Sequence, residues 1–461
     1  RLFLWICRFT GGANPLVSGV FGWAQIAESG MKIWFFASSH PLPRQSVAVR
    51  PGRMRVLAES LAARGHAVAF FSSNFHHGQK THYQDWLPQH RGVRYHAVSS
   101  PGYRRHISAR RIYEHRVVAR RVAQQAMAMA AQDPKGAPDL IFCNWPTLDM
   151  AAAARRVAWA LDAKLVIGVS DLWPDSFVSL APARLRPMVG LYTRLLQPRT
   201  HRLLAAADAV SGLTGSYLAW AQRKAGGARA HDFVLPMTYE APAAADRAAG
   251  DAKNAAMQDT DTKETGTKET GIKETGIKDI DLVYSGVAGN NFDRPWTRDF
   301  IAALLAAQPG LKIAFAGTGP AMDLLRTDFA GTPQVTFLGF LEPEALYDVL
   351  GRARLGLLGY QNIENFRLNL PNKVSEYAAF SLPMVNAIPG EIAAFIERFD
   401  CGINAVGQSG AQAAVQAAAF LADAPRRAQT AANARQGYET LFNPERNAAE
   451  LERCLARIVA A

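Results

Sequence analysis

Apolar residues in this chain come in short runs separated by amphipathic stretches, and the alternation persists over most of its length. "MKIWFFASS", from Met31, is a continuous apolar run of strand length. "RPGRMRVLAESLAARGHAVAFFSS" then sets apolar positions at helical spacing from Met54 to Arg64, stops at Gly65, and begins a second run at Ala67. Strand, helix and strand in that order form the unit of a parallel sheet, whose crossovers are long enough to hold a helix. The unit recurs: "PDLIFCNW" predicts a strand, Ala151–Leu161 a helix, "AKLVIGVSDLWP" a strand running into a polar loop, and "ADAVSGLT" a short strand ahead of a helix from Ser216. After an interruption, "DLVYSGVAG", "LKIAFAGTGP", "VTFLGFL", "ARLGLLGY" and "LPMVNA" predict strands. Between and after them Arg298–Ala307, Glu344–Leu350, Lys373–Phe380, Glu391–Phe399, Ala411–Ala422 and about Pro444–Val459 predict helices. Two doubly wound α/β domains joined by a linker account for this pattern.

The interruption, residues 241–280, carries the five-residue repeat "TKETGTKETGIKETGIKDID" from Thr262. Thr, Lys, Glu and Gly cannot bury a core, so the segment reads as a flexible insert. Its acidic triplets, Asp259–Asp261 and Asp279–Asp281, are discounted as metal motifs for the same reason. Residues 1–30 open on "RLFLWIC", continue through a Gly-rich stretch, lack the order of a signal peptide, and read as an unstructured extension ahead of a start at Met31. Composition narrows the chemistry further. A formal net charge of +12 favours polyanionic partners. Cys7, Cys143, Cys401 and Cys454 are widely spaced without a CxxC pair, which argues against a disulfide framework or zinc site and for a reducing cytosol. No apolar run reaches the length of a bilayer span.

Ligands of doubly wound sheets bind at the carboxyl ends of the strands. Gly286 and Gly289 follow one such strand and Gly317 and Gly319 another. Each pair either brings backbone N–H groups close to a phosphate or serves a packing turn. "NLPNKVSEYAAFSLPMV" is more specific. Lys373 and Glu376 stand three apart on one face of a helix, in the first turn, where the backbone carries partial positive charge. A lysine there is unfavourable unless an anion lies beside it, and a carboxylate accepts from two hydroxyls at once, as a ribose diol offers. The pair reads either as a site for a nucleotide diphosphate, with Asn372 at the same helix end, or as a surface ion pair. His40 follows the first strand and Asp171 ends the "KLVIGVS" strand, so both face a cleft, or else they serve their own loops. Arg104, Arg105, Arg110, Arg111, Arg116, Arg120 and Arg121 crowd one span, and "RLRPMVGLYTRLLQPRTHRLL" adds a basic amphipathic stretch. Without a nucleic-acid recognition motif, interleaved Leu, Tyr, Met and Val favour an anionic membrane surface over nucleic acid, with a solvated helix face as the plain reading.

"NKVSEYAAFSLPMV" resembles the NK-x-x-EY-x-A-x-G-x-P signature of GT-B glycosyltransferases of family 4, in the branch that builds bacterial surface polysaccharides. "DLWPDS", "GTGP" and "VTFLGFL" extend the resemblance from Met31 nearly to the C-terminus, outside the insert. It implies a GT-B architecture of two Rossmann-like domains facing a cleft: an acceptor domain over 31–240, a linker over 241–280, a donor domain over 281–440, and a C-terminal helix over 441–461 packing back on the first domain. It implies a retaining, metal-independent transfer without cofactor, from a nucleotide-sugar donor, UDP-linked, to a lipid-linked glycan, by an enzyme peripheral on the cytoplasmic face of the plasma membrane. Glu376, seven residues before Pro383, would hold the donor ribose. Lys373, helped by Arg294 and the glycine loops, would hold the diphosphate, and His40 and Asp171 would face the sugar. Arg110, Arg111, Arg120 and Arg121 would face the membrane. Two departures stand out: Leu368 where many members have a second glutamate, with Glu364 out of register, and Ser381 where a glycine is expected. They keep two rivals in view, a nucleotide-sugar epimerase of the same fold and a non-catalytic binding subunit.

Overall fold

A computed structural model describes residues 30–46, 50–105, 108–242, 245, 280–289 and 291–461. The expected N-terminal extension, Cys7, the repeat and its first acidic triplet lie outside the described residues. Asp281 is the described member of the second triplet. It sits inside a strand, accepts from the Lys312 backbone N–H at 2.8 Å and pairs with Arg354 at 2.8 Å.

The N-terminal half forms one sheet from β1 (Lys32–Phe36), β2 (Ala67–Ser73), β3 (Val93–Val98), β4 (Leu140–Trp145), β5 (Lys164–Val169) and β6 (Ala209–Gly212), with short edge strands at Gln89–His90 and Phe233–Val234. The parallel core runs in the order 3-2-1-4-5-6, that of dinucleotide-binding sheets. Both faces are covered, which is why β1 reads as unbroken apolar sequence. Trp34 and Phe36 pack on one layer with α2 (Ala109–Gln132), α3 (Leu148–Ala160), α4 (Arg186–Ala205) and α5 (Gly215–Ala225). Ile33 and Phe35 pack on the other, against α1 (Arg53–Ala63). Ser108, Thr147 and Thr214 start α2, α3 and α5 by accepting the N–H three residues on, so each hydroxyl satisfies a donor that the helix leaves free.

The C-terminal half repeats the design with β7 (Ile280–Ser285), β8 (Ile313–Ala316), β9 (Val335–Gly339), β10 (Ala353–Leu357), β11 (Met384–Asn386) and β12 (Gly402–Asn404). Their spatial order, β9-β8-β7-β10-β11-β12, is again 3-2-1-4-5-6. Besides a single turn at Glu364–Arg367, the helices are α6 (Arg294–Ala307), α7 (Pro320–Asp328), α8 (Pro343–Gly351), α9 (Asn372–Ala379), α10 (Glu391–Phe399), α11 (Gly410–Ala422), α12 (Ala424–Leu441) and α13 (Pro444–Ala460). α6 begins a turn earlier than its apolar spacing predicts, because Asp293 caps it and Pro295 fits the first turn. The sequence pattern misses α12, whose buried face is made of small residues such as Ala431 and Ala434. α13 returns to the first domain: Leu451, Leu455 and Ile458 join the core under β1, and Glu452 bonds Arg64 at 2.6 Å and His66 at 3.1 Å. Among the described residues no helix is long and apolar enough to cross a membrane, and Cys143, Cys401 and Cys454 are free thiols.

Candidate active site

In a 3-2-1-4-5-6 sheet the crevice opens where the strand order reverses. In the second domain that point lies between β7 and β10, and α9 brings Lys373 to it. The lysine is buried, with its Nζ 3.7 Å from the ring centroid of Tyr284 in β7 and 5.4 Å from that of Tyr360 just beyond β10. It has no ion-pair or hydrogen-bond partner among the described residues. Burial pulls its pKa down to about 7, opposed only by Glu376. α9 itself begins at Pro371 with no side-chain cap and no acidic residue in its first turn, so its leading N–H groups keep their partial positive charge. Asn372 is exposed at the same end. A buried cation, free amides and two aromatic rings form a site suited to an anion with a planar or ring-bearing neighbour.

Glu376 lies one turn further on, buried. Its Oε2 accepts from Ser285 Oγ at 3.3 Å, and Tyr377 OH accepts the Ser285 N–H at 3.0 Å, which fixes α9 to the end of β7. Its Oε1 is held by Arg50 Nη1 at 2.6 Å. Arg50 comes from the loop before α1 in the other domain, and its guanidinium lies 4.6 Å from the ring centroid of Tyr239. The ion pair therefore crosses the cleft. Nothing local in the sequence marks Arg50, because its partner is 326 positions away.

The glycine loops divide their work. A Cβ on Gly317 would stand 1.9 Å from the Gly286 carbonyl oxygen, and one on Gly319 2.5 Å from that of Ala288. These two glycines let the loops after β7 and β8 press backbone against backbone, and Ala288 O already takes the first N–H of α7, that of Ala321, at 3.0 Å. Packing accounts for them. Gly286 differs: it is exposed, in the left-handed region at φ 114°, and a Cβ there would come within 3.4 Å of Lys373 Nζ. Gly289 borders the same loop with open space around it. Arg294 is engaged elsewhere, its guanidinium gripping both carboxylate oxygens of Asp328. That grip sets α6 against α7 and leaves Lys373 as the cation beside Gly286.

The crevice of the first domain lies between β1 and β4. His40 follows β1, and its Nε2 is 3.2 Å from Asn144 Nδ2 in β4. Burial, then the charge of Arg53, lowers its pKa to about 4, so the ring stays neutral at physiological pH. Asp171 accepts the Leu172 N–H at 2.8 Å, and burial raises its pKa. It holds the turn after β5. The segment between β10 and α9 closes onto this domain: Thr214 Oγ1 donates to Leu368 O at 2.7 Å and Tyr217 OH to Asn365 Oδ1 at 2.9 Å. Leu368, in place of a second glutamate, packs against the first domain's core, and Glu364 is exposed.

From Arg110 on, the arginine span lies on α2; Arg104 and Arg105 precede it. Arg110 donates to the carbonyls of Gly102 and Pro101 at 3.2 and 3.0 Å, and Arg121 to that of Ser99 at 2.5 Å. Arg111 lies 5.0 Å over Trp173. These three brace α2 against its own domain, whereas Arg120 has no partner among the described residues and lines a groove.

The chain's two halves match two family models, a "Glycosyl transferase 4-like domain" over residues 52–238 and a "Glycosyl transferase-like" domain over 294–453. No curated protein matches. Among solved structures, sucrose-phosphate synthase from Thermosynechococcus elongatus is 18% identical, with TM-score 0.60 over 93% of this chain and 99% of that one. Anabaena Alr3699/HepE in complex with UDP is 13% identical, with TM-score 0.57 over 93% of this chain and 100% of that one. WaaG, a glycosyltransferase involved in lipopolysaccharide biosynthesis, is 15% identical, with TM-score 0.53 over 91% of this chain and 98% of that one. With a glycosyltransferase model on each half and two doubly wound domains meeting across a cleft, the chain belongs to the GT-B glycosyltransferases of the family 4 type.

Proposed function

We propose that the enzyme moves a sugar from a UDP-linked donor to a lipid-linked glycan, with retention and without a metal, while peripheral on the cytoplasmic face of the plasma membrane. The observation that carries the donor half is Lys373: a buried, unpartnered cation at the second domain's switch point, beside Gly286 and the free end of α9. A diphosphate there gives the lysine the partner it lacks, and the charge that develops on the leaving group is met by a group already in place. Glu376 takes the ribose diol on releasing Arg50. The solved relative that holds UDP lends the choice of nucleotide, and the relative named for lipopolysaccharide biosynthesis lends the choice of pathway. In a retaining transfer a donor phosphate oxygen takes the acceptor proton on the face the leaving group departs. Neutral His40, held by Asn144, is suited to a hydroxyl on the sugar or acceptor rather than to a charge. Calorimetry with UDP, ADP and GDP, each with and without EDTA, tests the donor and metal assignments. Proton NMR of the product's anomeric centre, set beside the donor's, tests retention. Inversion, or binding that needs a divalent ion, overturns the corresponding assignment.

A further inference from the structure

On the face of the first domain formed by α2, α3 and α4 lies a groove of about 790 Å³ lined by Arg116 and Arg120 from α2, Arg155, Arg156 and Trp159 from α3, and Arg199 from α4. Arg199 is neutralised by Asp149 at 2.7 Å. The other four guanidiniums are exposed and have no hydrogen-bond or ion-pair partner among the described residues. Arg116 and Arg120 stand one helical turn apart, an arrangement of like charges that weakens a helix. A face that served only solubility would intersperse acids, as α13 does with Glu450 and Arg453. Four unpaired cations around one concavity fit a phosphate group.

The groove's border is apolar. Trp159 is 84% exposed at its edge. On α4, Met188, Leu191 and Leu195 are 64%, 62% and 71% exposed. They precede Arg199 at steps of three and four, so they lie along the helix face that runs into the groove. Ile112 and Tyr113, both exposed, stand one turn before Arg116 on α2. A soluble polyanion gains nothing from such a border. A lipid whose phosphate enters the groove while its neighbours cover Trp159 and Leu195 uses all of it. Nucleic acid would call for stacked aromatic rings in place of Met and Leu.

We propose that this groove is a headgroup site for anionic phospholipid, formed by Arg116, Arg120, Arg155 and Arg156, with Trp159 and the α4 stripe entering the interface. The proposal rests on the reading that the enzyme works at a membrane, and it moves the membrane contact from Arg110, Arg111 and Arg121 to the unpaired arginines beside them. The full-length protein is co-sedimented with phosphatidylglycerol-containing vesicles and with phosphatidylcholine vesicles at physiological salt. Wild type is expected to sediment with the first only. Arg116→Ser/Arg120→Ser/Arg155→Ser/Arg156→Ser is expected to lower the bound fraction at least tenfold, and Leu191→Ser/Leu195→Ser several-fold. Arg110→Ser/Arg121→Ser serves as the charge control and is expected to lose little. Calorimetric UDP affinity equal to wild type shows that each variant is folded. Failure of wild type to sediment overturns the membrane reading itself. Binding by the quadruple variant equal to wild type overturns the groove alone. Loss in the quadruple variant with full retention in the leucine variant, together with competition by inorganic pyrophosphate or a single-stranded oligonucleotide, assigns the groove to soluble polyanions and overturns the lipid.

Discussion

The two domains share one strand order but treat charge in opposite ways. The second buries a lysine and a glutamate at its switch point, between Tyr284, Tyr360 and Ser285. The first sets His40 there, unprotonated against Asn144, ties the nearby Arg53 to the carbonyls of Leu235 and Pro236, and carries its free cations outside, on α2 and α3. A buried charge costs folding energy unless something answers it, so the domain that accepts this cost has an anionic ligand to gain by it. A neutral imidazole suits hydroxyls. The largest effect should therefore come from Lys373. Lys373→Met keeps the side chain's volume and should cut kcat/KM by roughly 100- to 1000-fold, the usual cost of removing one preorganised group facing developing charge, without lowering Tm. His40→Ala should cost less than a tenth of that. Equal losses in steady-state assays would break the contrast between the two crevices.

Glu376 and Arg50 test the contact that joins the crevices. Glu376→Ala should weaken binding of UDP by about 1–3 kcal/mol, as expected when a buried hydrogen-bond partner is removed. Arg50→Ala should act in the opposite direction. The 2.6 Å pair occupies the carboxylate proposed to hold the ribose, so removing it should tighten binding by up to about 1 kcal/mol. Calorimetry reads both, and weakening by Arg50→Ala would make Arg50 a direct ligand of the donor instead of its competitor.

The lysine also sets a pH dependence. Its folded pKa of about 7 lies below the ordinary 10.5, so between those values only the unfolded chain binds the proton. Stability of the free enzyme should then rise with pH across that window, by up to about 1.4 kcal/mol per unit, and Lys373→Met should flatten the rise. Tyr284, Tyr360 and Tyr377 are pushed upward by burial and do not titrate there. Donor binding runs the other way. An anion raises the lysine's pKa, so binding takes up a proton above pH 7 and affinity should fall as pH rises past that point. Chemical denaturation and calorimetry from pH 6 to 9.5 check the two slopes.

The sequence carried most of the fold because both sheets are buried on two faces, so most strands announce themselves as apolar runs; β3, whose VRYHAV mixes buried and half-buried positions, α7 and α12 were not read from it. It also carried Lys373 and Glu376, whose residue types conflict with an apolar helix start. Three side-chain roles were not legible either. Arg50 has no local signature, since what defines it is a carboxylate in the other domain. Arg294 looked free because Asp328 lies 34 positions on. Among the clustered arginines, the sequence could not separate Arg110 and Arg121, which bond backbone carbonyls of their own domain, from Arg116 and Arg120, which bond nothing described.

Ser381 offers the smallest and most local test. It follows α9, the helix that carries both candidate donor residues, and its φ of 53° lies in the left-handed region where glycine is at home. Its Oγ is buried without a hydrogen-bond partner among the described residues. Serine thus bears a backbone cost and a desolvated hydroxyl together, and Ser381→Gly removes both while adding some chain entropy to the unfolded state. The net expectation is a stabilisation of about 1 kcal/mol, read as an upward shift in urea midpoint with an unchanged slope. Lys373 sits two turns away at the opposite end of the helix and Glu376 little more than one turn away, fixed through Ser285 and Tyr377, so donor affinity should not move. A shift in affinity together with stability would mean that the end of α9 sets the position of its beginning, and the second domain's crevice would then be a site tuned through its helix as well as through its charges.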